Sequence, residues 1–151
     1  MKEFSSINDI LDFAIKEEEG AYAFYTELAG KMEKPWMKEV FLEFAEEEKG
    51  HKEKLLNVKE GKEVVSSFEK VMDLKIGDYL IDVEPKKDMD YQHALVLAMK
   101  KEKAAFKLYT NLAERTNDNN LKNLFRALAQ EEAKHKLRFE IEYDDHVLQW
   151  N

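Results

Sequence analysis

The feature that most constrains this chain is that it repeats itself. Shifted by 84 residues, Ala14–Leu56 falls on Ala98–Glu140 without a gap, and 15 of the 43 positions are identical. The matches include Glu18 on Glu102, Tyr25-Thr26 on Tyr109-Thr110 and Leu28-Ala29 on Leu112-Ala113. They continue with Phe41 on Phe125, Glu47-Glu48 on Glu131-Glu132 and His51-Lys52 on His135-Lys136. Within each copy the apolar residues recur every three to four positions, the period of an amphipathic helix. Each copy therefore reads as a helical hairpin, and two similar hairpins pack as an all-α four-helix bundle with a pseudo-two-fold axis.

Local signals set the element ends. The first helix is expected over 7–33 behind Ser6 as its N-cap. The second, 35–57, starts on Pro35, a residue suited to a first helical turn. The third, 90–115, follows Asp90, and the polar turn 116–120 precedes a fourth over 121–145. Helices of this length measure roughly 37 Å. The 58–89 segment, with Gly61, Gly77 and Pro85, is long enough to cross back along the bundle, with short helices expected near 67–74 and 77–81. The 151 residues are expected to form a single domain.

Composition removes several function classes. There is no Cys, so disulfides, thiolate zinc sites and iron–sulfur or rubredoxin-type centres are excluded. A formal charge of −8 with dispersed lysines makes nucleic acid an unexpected partner. No apolar run is long enough to span a membrane, and the first residues do not resemble a secretory signal. A cytoplasmic location is expected.

Three patterns single out the same six residues. Glu48 and His51 form Glu-x-x-His on the second helix, and Glu132 and His135 form it at the matching place on the fourth. Residues three apart share a helix face, so each pair offers a carboxylate and an imidazole to one point. Glu18 shares its stripe with Leu11, Ala14, Tyr22, Tyr25 and Ala29, and Glu102 with Leu95, Ala98, Phe106, Tyr109 and Ala113, so all four glutamates are expected to face the core. Buried carboxylates are costly without compensation. Finally, Glu18 and Glu48 are equidistant from the first hairpin turn, and Glu102 and Glu132 from the second, at roughly 22 Å in each case. Four Glu and two His at one level form a two-metal site, whose four negative charges would balance two divalent cations.

That set matches the ferritin-like carboxylate bundles, and the chain more closely resembles the rubrerythrin family. Besides the ligands, it shares a Tyr seven residues after each lone glutamate (Tyr25 and Tyr109), followed by Leu-Ala. The resemblance implies that Glu18, Glu48, His51, Glu102, Glu132 and His135 bind two iron ions, Fe2+ or Fe3+, with manganese or zinc as substitutes. It further implies that Tyr25 and Tyr109 hydrogen-bond the ligand carboxylates, and that no catalytic group is needed beyond the ligands. The implied activity is reduction of hydrogen peroxide, or reaction with dioxygen, using an external electron donor such as a separate rubredoxin-like protein. A homodimer is the expected assembly.

The chain departs from the family in two ways. It has no four-cysteine rubredoxin-like domain, and Ala105 stands where many members place an additional glutamate. It resembles a stand-alone bundle without a built-in donor. The alternatives are ferritin-like iron oxidation and storage, for which a fifth helix is not expected after Glu140, and metal binding without turnover. His93 and His146 are expected at the surface. Glu17, Glu19, Glu46 and Glu47 flank the ligands at angles that turn them toward solvent, although one of them could support a ligand histidine.

Overall fold

The structure, a computed structural model, describes residues 6–61 and 90–147. Its four helices are α1 (Ile7–Lys31), α2 (Pro35–Gly61), α3 (Tyr91–Arg115) and α4 (Asn119–His146). The expected caps form: the Ser6 side chain accepts from Asp9 N, and Asp90 accepts from His93 N. Asp118 caps α4, accepting from Leu121 N at 2.8 Å. The fourth helix thus begins two residues earlier than the polar turn suggested, because Asp118 satisfies an amide that would otherwise be unpaired. α2 runs four residues past its expected end, to Gly61. The rest of the expected crossover, 62–89 with its two short helices, lies outside the described residues.

α1 packs along α2 and α3 along α4, while helices of different hairpins approach one another less closely. Two apolar clusters fill the bundle, one toward each end. One joins the first half of α1 and the end of α2 to the last half of α3 and the start of α4, through Leu11, Leu55, Leu112 and Phe125. The other joins the opposite halves through Leu28, Phe44, Leu95 and Phe139. α1 and α3 are therefore antiparallel, the two hairpin turns lie at opposite ends, and the repeat's two-fold axis crosses the middle of the bundle.

The core stripe is narrower than the periodicity implied. Tyr22 and Phe106 are 38% and 39% exposed. They are four residues beyond Glu18 and Glu102, and the inward positions go to Ala21 and Tyr25 in α1 and to Tyr109 in α3. At 100° per residue, a stripe centred on the N-terminal flank of Glu18 rotates Tyr22 out to the rim. No helix among the described residues is long and apolar enough to cross a membrane.

Candidate metal centre

Between the two apolar clusters, where the two-fold axis crosses the bundle, lie the six sequence-selected side chains. All six are buried, none more than 4% exposed. They group into two overlapping sets whose ligand atoms lie within 4.8 Å of one another: Glu18, Glu48, His51 and Glu132, and Glu48, Glu102, Glu132 and His135. Glu48 and Glu132 belong to both. Each metal position would thus have one private glutamate, one private histidine and two shared carboxylates, a division that helix spacing alone does not reveal.

Both imidazoles turn Nδ1 inward. His51 Nδ1 stands 3.0 Å from Glu18, 3.2 Å from Glu48 and 2.9 Å from Glu132. His135 Nδ1 stands 3.4 Å from Glu48 and 3.5 Å from Glu102. The two rings are nearly parallel, with centroids 5.7 Å apart. That pairing is the two-fold axis expressed in side chains.

The tyrosines are not equivalent. Tyr25 donates from its hydroxyl to Glu102 Oε1, across from α1 to α3. Tyr109 is equally buried, but its hydroxyl has no hydrogen-bond partner among the described residues. The Glu18 carboxylate stands beside this phenol, out of line for a hydrogen bond. Burial, with the Glu18 charge next, pushes the Tyr109 phenol well above its ordinary range.

The electrostatics are those of a crowded cluster of buried carboxylates. Burial, then the charges of Glu102 and Glu18, push the Glu48 carboxyl well up. Burial, then Glu102 and Glu48, do the same to Glu132. Glu102 is also desolvated, but its contacts with Glu132, His135 and the Tyr25 hydroxyl outweigh that and hold it low. For His51 burial acts downward, yet Glu18 and Glu48 prevail and raise it to about 10.

Among the described residues, Glu48 Oε1, Glu102 Oε2, both Glu132 oxygens and both His135 nitrogens meet no aligned hydrogen-bond partner. Unpaired buried polar atoms on this scale are rare in native proteins, and metal coordination would satisfy them together. Carboxylate oxygens with imidazole suit iron or manganese, while the lack of thiolates argues against a site built for soft metals.

One contributor was only partly legible. Glu47 is half-exposed, as its helical angle implied, but its Oε2 lies 2.8 Å from His135 Nε2, out of line for a hydrogen bond. It stands behind a ligand imidazole, the place from which a carboxylate orients the ring. The signal was present as the repeated Glu-Glu pair before each x-x-His. Its counterpart Glu131 instead lies 3.8 Å from Lys134. His93 pairs with Asp90 at 2.6 Å on the surface, and His146 lies 3.6 Å from Glu142, both far from the ligand sets.

A small cleft, with room for about one water molecule, opens to solvent between α1 and α3. Glu17 and Lys101 line it together with Ala21, Ala104 and Ala105, and it reaches Glu18, Glu48 and Tyr109. Ala105, at the position where a further glutamate was considered, is part of this opening.

Comparison with known proteins agrees with the geometry. The rubrerythrin family model matches residues 9–143. A hypothetical protein from Pyrococcus furiosus is 32% identical, with 97% of this chain and 93% of that chain covered and a TM-score of 0.67. A candidate ferritin-like diiron-carboxylate protein from Thermotoga maritima is 24% identical over 97% of this chain and 99% of that one, with a TM-score of 0.73, a likeness of fold. No curated protein matches the chain. With a family match over nearly all of its helical residues and a buried Glu/His cluster of the di-iron carboxylate type, the chain belongs to the rubrerythrin family.

Proposed function

We propose that this protein binds two iron ions through Glu18, Glu48, His51, Glu102, Glu132 and His135 and reduces hydrogen peroxide with electrons from a separate donor protein. The observation that carries the reading is the pair of four-residue ligand sets sharing Glu48 and Glu132. Glu48 and Glu132 would hold the two cations in common, an arrangement that would suit a reaction at two adjacent oxygen atoms. When bound, a ferrous pair supplies the two electrons that cleave the O–O bond of peroxide to give water.

The chain's own groups do the rest. The apolar clusters on either side keep bulk water from the centre. The small cleft between α1 and α3, lined by Ala21, Ala104 and Ala105 with Glu17 and Lys101, reaches Glu18 and Glu48 and is the approach we assign to the substrate. Tyr25 fixes the orientation of Glu102 through its hydroxyl. These 151 residues contain no cysteine to bind an electron-carrying iron centre of their own, so a rubredoxin-like donor fits the role.

The test is anaerobic reconstitution with Fe(II) followed by stopped-flow mixing with peroxide and, separately, with oxygenated buffer. Oxidation that is much faster with peroxide supports the proposal. Oxygen consumption at a comparable rate, with iron accumulating beyond two per chain as mineral, would replace it with a ferritin-like role.

A further inference from the structure

The two halves of the bundle are related by the repeat, yet the surroundings of their matching tyrosines differ. Tyr25 is enclosed by rings: Phe24 stands edge-on at 5.3 Å, Phe139 stacks at 5.8 Å and Phe44 lies at 6.0 Å. The residues 84 positions away are Leu108, Leu55 and Leu128, and they share a cluster with Tyr109. The hydroxyls differ too. Tyr25 is committed, donating to Glu102. The Tyr109 hydroxyl is equally buried, and no aligned partner meets it among the described residues. Glu18, the carboxylate beside it, is turned to His51, whose Nδ1 stands 3.0 Å from Glu18 Oε2. A buried phenol normally finds an acceptor.

The cleft between α1 and α3 leads to this phenol. Half-buried Glu17 and Lys101 exchange places under the two-fold, as do Ala21 and Ala105, so this part of the cleft belongs to both halves alike. The inner wall belongs to one half: Leu108 and Tyr109 line it with Glu18 and Glu48. At the place of Leu108 the other half has Phe24, which is buried, with its ring against Tyr25 and the Lys101 ammonium 5.7 Å from its centroid. A ring capped by a lysine fills the space that a leucine leaves open. The path inward is therefore one-sided, and it ends at Glu18 and Glu48 of the ligand set around His51.

We propose that the inner end of this cleft holds the small substrate, hydrogen peroxide in the reaction proposed above, and that the Tyr109 hydroxyl donates a hydrogen bond to it. The repeat has thus given its two tyrosines different work: Tyr25 orients a ligand carboxylate, and Tyr109 receives the incoming molecule. Room for about one water molecule restricts the occupant to a few atoms, and a lone donor at its end selects one that accepts a hydrogen bond. Peroxide oxygens are good acceptors. Dioxygen is a weak one and gains little from the phenol, so Tyr109 favours peroxide over dioxygen.

The inference rests on the peroxide-reducing function proposed above, and its test separates the two. The Fe(II)-loaded full chain is exposed anaerobically to nitric oxide, a two-atom probe that binds ferrous iron and accepts a hydrogen bond. The N–O stretch is read by infrared in H2O and in D2O. The wild-type stretch is expected to differ between the two solvents, because the phenolic proton exchanges. Tyr109→Phe, which keeps the ring, is expected to remove that difference and to weaken nitric oxide binding by roughly three- to tenfold, the usual worth of one hydrogen bond, with iron stoichiometry retained. It should also slow oxidation by peroxide by a larger factor than oxidation by dioxygen. Leu108→Phe, which copies the closed half, is expected to slow nitric oxide uptake several-fold. A stretch and an affinity untouched by Tyr109→Phe would overturn the inference alone, with oxidation by peroxide still carrying the function. Loss of iron from that variant would also overturn it, making Tyr109 a support for Glu18. A wild type with the Tyr109-dependent stretch but iron inert to peroxide would overturn the function and leave the binding place standing.

Discussion

At the scale of single residues, adjacent glutamates in α2 have different consequences. Glu48 belongs to both ligand sets, whereas Glu47 touches the centre only through the outer nitrogen of His135. Glu48→Ala is expected to abolish tight binding at both positions. Glu47→Ala should keep two metal ions per chain but weaken them by roughly 10–100-fold, the usual effect of losing a group that orients a ligand. Metal titration against a competing chelator reads both numbers, and equal loss in the two variants would reassign Glu47 as a direct ligand. That these six side chains gather in the core was legible in the sequence, because a spacing of three residues fixes a common face and the repeat supplies the same pattern twice. What spacing could not show was how the copies differ. Tyr25 and Tyr109 occupy matching positions, yet Tyr25 donates to Glu102 while the Tyr109 hydroxyl, beside Glu18, meets no aligned hydrogen-bond partner among the described residues. A periodic pattern gives the face a side chain occupies and not the angle at which its hydroxyl meets a neighbour.

At the scale of elements, the opening between α1 and α3 depends on small side chains on both helices. Ala21 and Ala105 match across the repeat, and Ala104 lies beside them. Ala105→Phe is expected to fill the cleft without altering any ligand. The rate at which Fe(II) or azide reaches the centre in stopped flow should fall, while the final stoichiometry stays at two metals. An unchanged rate would mean that ligands enter by another route. The helices themselves were legible to within a few residues, since Ser6, Pro35 and Asp90 are chemically suited to helix starts. The ends that moved did so where one polar side chain decides: Asp118 drew the start of α4 forward by capping Leu121 N. The width of the apolar stripe was overstated because periodicity gives a direction and no boundary, which left Tyr22 and Phe106 on the rim.

At the scale of the whole molecule, the metal-free chain should have an unusual pH profile. His51 is held up at about 10 in the fold, above its ordinary value, so its contribution to stability is complete below about pH 6.5 and fades as pH rises through about 10. Glu48 and Glu132 are raised too, so their contribution is largest while they are protonated and also falls with rising pH. Glu102, held low, acts in the opposite sense and matters only in acid. The metal-free melting temperature is therefore expected to drop from pH ~6 to pH ~9. Cations replace these protons and bind the folded chain far better than the unfolded one. A thousandfold excess over the dissociation constant contributes about 4 kcal/mol, or on the order of 10 °C for a domain of this size. The gain should be larger at the higher pH, because fewer protons must be displaced. Melting curves with and without Fe(II) or Mn(II) at both pH values check this, and a metal-free protein that becomes more stable with pH would contradict it.

The sharing of Glu48 and Glu132 also governs when the centre can exist at all. The set around His51 needs residue 132, and the set around His135 needs residue 48, so neither set is complete within one hairpin. During synthesis the first hairpin emerges with Glu18, Glu48 and His51 already grouped, but short of the fourth group. Closure waits until Glu132 and His135 have left the ribosome, and it joins groups separated by more than 80 residues. Such long-range contacts form slowly, which leaves a nascent chain with an unfinished carboxylate cluster at the seam between its halves. Metal loading is thus a late event in the life of each chain, and iron met too early would find a half-site with lower affinity and an open side.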